Sequence, residues 1–174
     1  MNLPNMLTLA RFALIPVFIY VVFCFPRGAS GLVTGMVIFV FAGLTDLLDG
    51  YIARRFSMVT TWGKLMDPLA DKLMLITVLI SLTMKQLIPP FVVIVVIVKE
   101  LLIIVGAAFL YKSRKVVVQA NYFGKAASIA FFLAVVAVIF DILYAEIILL
   151  AALLAAIIAL VQYFYIAFLK NERT

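Results

Sequence analysis

Histidine is absent from the 174 residues, and cysteine occurs once, as Cys24. The first absence excludes imidazole acid–base chemistry, zinc sites built on histidine and Ser-His-Asp triads. The second excludes an intrachain disulfide and a paired-cysteine metal site. Cys24 lies inside an apolar run and reads as a small apolar residue. Charge is scarce too: 13% of the chain, against roughly 25% in a soluble domain. No polar stretch is long enough to form a soluble extramembrane domain, and no repeat or low-complexity linker stands out.

Apolar surface fills the space that charge leaves. Hydrophobic residues make up 68% of the chain, and the mean hydropathy is +1.29. A soluble fold of this length cannot hide so much apolar surface, so most of it is expected to face lipid or other membrane helices. Six runs approach the roughly 20 apolar residues that a spanning helix needs: 7–25, 31–54, 65–84, 89–111, 122–140 and 145–169. They predict an all-α integral membrane protein of six transmembrane helices, forming one domain over 1–174. The opening Met1-Asn2-Leu3-Pro4-Asn5 has neither a basic region nor a small-residue cleavage site, so the first run is expected to be a retained helix. Between the runs lie a turn at Pro26–Gly31, a polar loop from Arg54 to Lys64, the Lys85–Pro90 break and the basic Lys112–Lys115 segment.

The basic residues orient these helices. Arg11, Arg54, Arg55, Lys64, Lys72, Lys112, Arg114, Lys115, Lys125, Lys170 and Arg173 fall on one side, and Arg27 and Lys85 on the other. Cytoplasmic loops carry the excess of lysine and arginine, so both termini are expected in the cytoplasm. The net charge of +6 then serves topology and attraction to anionic lipid. No nucleic-acid motif accompanies it, and no nucleic-acid partner is expected. Asp141 and Glu146 would bound a turn on the outer side, and Tyr163 and Tyr165 an interfacial aromatic belt.

Acidic residues number eight, and four of them fall within 26 positions: Asp46, Asp49, Asp67 and Asp71. Asp46 and Asp49 are i, i+3 at the end of the second predicted helix, and Asp67 and Asp71 are i, i+4 at the start of the third. Each pair therefore shares a helix face. The second helix descends and the third returns, so both pairs lie at similar depth near the cytoplasmic side. A lone Asp at the centre of a membrane helix costs about 2.5–3.5 kcal/mol, and clustered like charges resist ionisation together. A hard divalent cation removes both penalties. All-oxygen ligation suits Mg²⁺, Mn²⁺ or Ca²⁺, and four carboxylates carry charge enough for two such ions, which can clamp an in-line phosphoryl displacement. Gly50, Ala53 and Gly63 clear space at helical spacings, and Arg54 can pair with a phosphate. Together they describe a diphosphate site. The plainer reading is salt bridging of the four aspartates with Arg54, Arg55, Lys64 and Lys72.

The strings Asp46-Leu-Leu-Asp49-Gly50-Tyr-Ile-Ala53-Arg54 and Gly63-Lys-Leu-Met-Asp67-Pro-Leu-Ala-Asp71 resemble the signature of the CDP-alcohol phosphatidyltransferase family. All eight defining positions match, with the family's spacer. The opening Asn2–Arg11, the Asp67–Lys72 string and Gly124-Lys125-Ala126-Ala127-Ser128 are similar to its glycerol-phosphate and cardiolipin branches. Ser128 stands where those branches show Thr, and Lys99-Glu100 where the glycerol-phosphate branch shows Arg-Glu. The resemblance implies a homodimeric six-helix enzyme of the bacterial cytoplasmic membrane with its site open to the cytoplasm. It implies that Asp46, Asp49, Asp67 and Asp71 hold two Mg²⁺ (or Mn²⁺), with Asp71 also the general base, and that Asp46, Gly50, Ala53, Arg54, Thr60 and Gly63 line the CDP pocket. The expected donor is CDP-diacylglycerol and the expected acceptor glycerol 3-phosphate.

Such an acceptor needs a basic pocket, for which Lys99, Arg114 and Lys125 are candidates. Arg114 and Lys125 equally suit a solvated basic loop, and Lys99 a structural pairing with Glu100. Phosphatidylglycerol, the acceptor of the cardiolipin-forming branch, is the alternative. A divalent-cation transporter is the non-enzymatic one, although the stretches Val33–Phe41 and Leu73–Leu82 offer it few polar positions. Asn5, Thr8 and Arg11 share one face of the first helix, which can close the site or lie among the headgroups.

Overall fold

A computed structural model describes residues 3–24, 29–55, 61–114 and 122–169. These residues form six helices: α1 (Leu3–Cys24), α2 (Ala29–Arg55), α3 (Thr61–Met84), α4 (Pro90–Arg114), α5 (Tyr122–Ile139) and α6 (Ala145–Leu169). All six predicted helices are present. Two bounds move by four residues and the others by three or fewer: α1 starts at Leu3 with Pro4 in its first turn, where the missing N–H has no helical partner to lose, and α3 starts at Thr61, so Thr61–Lys64 are helical rather than loop. Apolar periodicity marks where a helix enters an apolar environment. It does not mark where the helix begins.

The helices fall into two compact units, one ending at Lys85 and one starting at Gln86. In the first, α1 packs along both α2 and α3, whereas α2 and α3 meet only slightly. The α1 face is Phe18, Val21 and Val22. Met36, Phe39 and Ala42 are buried on α2, and Ala70, Met74, Val78 and Leu82 on α3. The α3 residues recur every fourth position, the spacing of one helical stripe. Gly35 lets α1 and α2 close: a Cβ there would lie 2.6 Å from Val22 Cγ2 and 3.1 Å from Phe18 Cε2.

In the second unit α6 is the shared partner of α4 and α5. Its buried stripe is Leu149, Ala152, Leu153, Ala156, Ala159 and Tyr163. Small residues on such a stripe let backbones approach in the absence of a hydrophobic drive. Gly106 does the same on α4, where a Cβ would sit 3.2 Å from Phe164 Cε1. The α5–α6 turn closes with Ile142 N–H donating to Ala137 O at 2.9 Å. Asp141 adopts φ 48° there, a left-handed helix cap that Asp tolerates.

Among the described residues, two helices carry spans long and apolar enough to cross a membrane, Pro90–Ala107 and Ala145–Ile166, and most of each span is not buried. Outward-facing Ile94, Val98 and Leu101 on α4 and Leu154, Ile158 and Val161 on α6 suit lipid, because soluble monomers rarely expose large contiguous apolar patches. Hydroxyls on α3 and α5 are satisfied locally. Thr77, Ser81 and Thr83 donate to the carbonyls of Leu73, Thr77 and Leu79 at 2.8, 2.8 and 3.0 Å, and so does Ser128 to Gly124 at 3.1 Å. Back-bonding of this kind keeps a hydroxyl paired where water is absent.

Replacing Gly35 with Leu is expected to force α1 from α2 and destabilise the first unit by about 1–3 kcal/mol, the range for overpacking. Thermal unfolding of the detergent-solubilised protein, followed by circular dichroism, should show a Tm several degrees lower. An unchanged Tm would mean that the close approach at Gly35 does not hold in solution.

Candidate active site

The polar end of the first unit extends its own core stripes. On α3, Asp67 and Asp71 stand one heptad before Met74 and Val78, so the buried face that is apolar farther along becomes acidic at the helix start. On α1, Arg11 stands one heptad before Phe18. The two stripes meet. Thr8 Oγ1 donates to Asp67 Oδ1, and Arg11 Nη1 donates to Asp71 Oδ1 at 2.8 Å as an ion pair. The partners are separated by 59 and 60 residues, a nearly constant offset, so α1 and α3 run parallel along this seam.

Burial is uneven within the pair. The Arg11 side chain is 1% exposed and that of Asp71 44%. Arg11 is thus enclosed by protein, while Asp71 keeps a face open to a ligand. Thr8 is fully buried and Asp67 half-buried. The two readings of the α1 polar face are thereby separated. Thr8 and Arg11 close on the carboxylates of α3 rather than lying among headgroups, and the side chain of Asn5 lies outside the described residues. Sequence reasoning placed these residues on one face but could not name what the face touches.

Asp46, Asp49, Gly50, Ala53 and Arg54 lie on the last three turns of α2, and Gly63 lies in the first turn of α3. The side chains of the α2 residues lie outside the described residues, as do those of Arg114 at the end of α4 and Lys125 near the start of α5, and Thr60 lies outside them entirely. Among the described residues no group of three or more metal-ligating side chains occurs; two members of the expected cluster, Asp67 and Asp71, are among those described. Their donors are carboxylate oxygens, and the chain offers no histidine and one cysteine. That set fits a hard divalent cation.

Lys99 lies on α4, in the second unit, and its Nζ meets Glu100 Oε1 at 2.6 Å, with the side chains 14% and 12% exposed. Adjacent residues diverge on a helix, yet two long flexible stems bend their ends together. The charge that mid-helix placement makes costly is thus met within the same helix.

The chain was compared with known proteins. The sequence model of the CDP-alcohol phosphatidyltransferase family matches residues 1–163. The chain belongs to that family. Among curated relatives, a CDP-diacylglycerol--glycerol-3-phosphate 3-phosphatidyltransferase of Bacillus subtilis is 35% identical over 148 residues, covering 79% of this chain and 76% of the relative. One of the same name from Rickettsia bellii is 46% identical over 84 residues, 48% of this chain and 45% of the relative. A cardiolipin synthase (CMP-forming) of Streptomyces coelicolor is 30% identical over 130 residues, 74% of this chain and 60% of the relative. The match spans about half the length of the Rickettsia relative.

Removing one partner of a buried ion pair costs about 3–5 kcal/mol, whereas replacing both partners with apolar residues is often neutral. Lys99→Met is therefore expected to lower the Tm clearly, and the double variant Lys99→Met/Glu100→Leu to restore most of it. A double variant no more stable than the single one would show that the pair is not the reason for either charge.

Proposed function

We propose that the protein transfers the phosphatidyl group of CDP-diacylglycerol to glycerol 3-phosphate, giving phosphatidylglycerophosphate and CMP. The observation that carries this is the family match over 1–163, which includes all eight positions of the Asp46–Asp71 signature. The names of the Bacillus and Rickettsia relatives support the donor and the acceptor. A transporter would leave the Gly50, Ala53 and Arg54 pattern without a purpose. In this reading both units form one domain of six spans in the bacterial cytoplasmic membrane. Both termini and the site face the cytoplasm, as the distribution of basic residues favours, and the family resemblance favours a homodimer.

Asp46, Asp49, Asp67 and Asp71 would hold two divalent cations, Mg²⁺ or Mn²⁺. Bound there, such ions neutralise the diphosphate and stabilise the attacking and leaving oxygens. The remaining work falls to the chain. Arg54 pairs with the diphosphate, and Gly50, Ala53 and Gly63 leave the helix backbones open to the CDP headgroup, with Thr60 beside them. Asp71 takes the proton from the acceptor hydroxyl as its oxygen attacks the lipid-linked phosphorus. The phosphorus–oxygen bond to CMP breaks, and CMP leaves with the bonding pair. Phosphoryl transfer asks mainly for positioning and charge stabilisation, so no side-chain nucleophile is needed. Lys99, Arg114 and Lys125 are the proposed contacts for the acceptor's own phosphate, Lys99 by exchanging Glu100 for it. Phosphatidylglycerol is the second candidate acceptor, on the strength of the Streptomyces relative.

Purified protein incubated with CDP-diacylglycerol, Mg²⁺ or Mn²⁺ and radiolabelled glycerol 3-phosphate should move label into the lipid phase with matching CMP release. Asp71→Asn should slow this by about 10²–10⁴-fold, the usual contribution of a general base. CMP release that requires phosphatidylglycerol would transfer the assignment to cardiolipin synthesis. No CMP with either acceptor, from folded protein, would end the transferase reading.

A further inference from the structure

We propose that α1 governs cation loading of the carboxylate site: Thr8 fixes the orientation of Asp67, and Arg11 is the resident counter-charge that a divalent cation must outcompete at Asp71. The inference rests on the metal-site reading above. It concerns positioning residues, since neither side chain is placed against substrate.

Three observations carry it. First, Thr8 is fully buried, and its hydroxyl donates to a carboxylate on another helix. The hydroxyls of Thr77, Ser81 and Thr83 reach only the carbonyl one turn back on their own helix. A bond from Thr8 to Oδ1 sets the plane of the Asp67 carboxylate and so directs Oδ2. Outer partners of this kind orient ligating carboxylates, and their loss typically costs about 10–100-fold in metal affinity. Second, the Asp71 side chain that Arg11 Nη1 meets at 2.8 Å is itself 44% exposed. Asp71 thus keeps part of its surface open for a second cation. Third, Arg11 is 1% exposed. Its positive charge is enclosed by protein and is screened less than that of an exposed side chain. In the cation-free protein that charge offsets carboxylate repulsion. When a cation arrives, the same charge opposes it.

The two residues therefore have opposite signs. Removing the Thr8 hydroxyl removes orientation and weakens cation binding. Removing the Arg11 charge removes a competitor and tightens binding, while the cation-free protein loses stability. Damage to packing alone would weaken binding in both.

The test is direct Mn²⁺ binding to the full chain in detergent without lipid substrate, read from the electron paramagnetic resonance signal of free Mn²⁺. Thermal unfolding with and without Mn²⁺ is measured beside it. Thr8→Val should raise the Kd about tenfold or more, and Thr8→Ser, which restores the donor, should return it to the wild-type value. Arg11→Met should lower the Kd severalfold, melt earlier without Mn²⁺ and gain more in Tm when Mn²⁺ is added. An unchanged Kd in Thr8→Val, or weaker binding in Arg11→Met, would overturn the proposal while leaving the metal site standing. The metal reading itself is checked by wild-type protein and Asp67→Asn: no binding by the first, or undiminished binding by the second, would overturn that reading and this proposal with it.

Discussion

A carboxylate placed in an apolar helix bundle must find positive charge, and the seam between α1 and α3 is organised by that need. Arg11 and Asp71 pair at 2.8 Å with the guanidinium almost wholly enclosed. Burying a guanidinium is tolerable only while the pairing lasts. The apolar part of the same seam is less exacting, because an apolar α1 side chain would pack tolerably against several positions along Met74–Leu82. A slide of α1 by one turn toward Met74 would preserve much of that apolar contact and strand Arg11 beside the apolar residues of the α3 stripe, and a slide the other way would bring Arg11 to Asp67 and take it from Asp71. The polar pair therefore fixes the register, and the apolar stripe supplies the bulk of the adhesion.

The two units handle buried charge differently. In α4, Lys99 and Glu100 neutralise each other within one helix at 2.6 Å. In the first unit, Thr8 and Arg11 neutralise groups on a different helix, so the electrostatics carries tertiary information. The hydroxyls of α3 fall with the local kind, each bonded one turn back. Local pairing lets a polar atom reside in an apolar medium. Pairing between helices positions a carboxylate, and it occurs at the end of the unit where the signature aspartates lie.

Much of this was legible in the sequence. The six apolar runs gave six helices, and α6 matched its expected bounds, Ala145 to Leu169, where Lys170 closes the apolar run. The start of α3 was misplaced because Thr61, Trp62, Gly63 and Lys64 look like a loop by composition, although a helix keeps its own hydrogen bonds in any medium. The spacing of Asp67 and Asp71 placed them on one face, and the structure keeps them there. What the sequence could not supply was the partner. An i, i+3 polar pair on α1 shows that one face is different, but only the packing of α1 on α3 shows that Thr8 meets Asp67 and Arg11 meets Asp71. The Lys99–Glu100 contact escaped the simple spacing rule for a separate reason: that rule describes Cβ directions, and long side chains are not bound by it.

The position of α1 also bears on how two acidic helix ends can coexist. Asp46 and Asp49 end α2, and Asp67 and Asp71 begin α3, so direct packing of α2 on α3 would press like charges together. Among the described residues α2 and α3 meet only slightly, and each packs extensively on α1. The Gly35 approach brings α2 close to Val22 and Phe18, while the Thr8 and Arg11 bonds hold α3. The helix without signature aspartates thus holds both helices that carry them. Such an arrangement keeps both signature-bearing helices in one unit through a third helix, as a site must if cations and a diphosphate are to bind between its carboxylates.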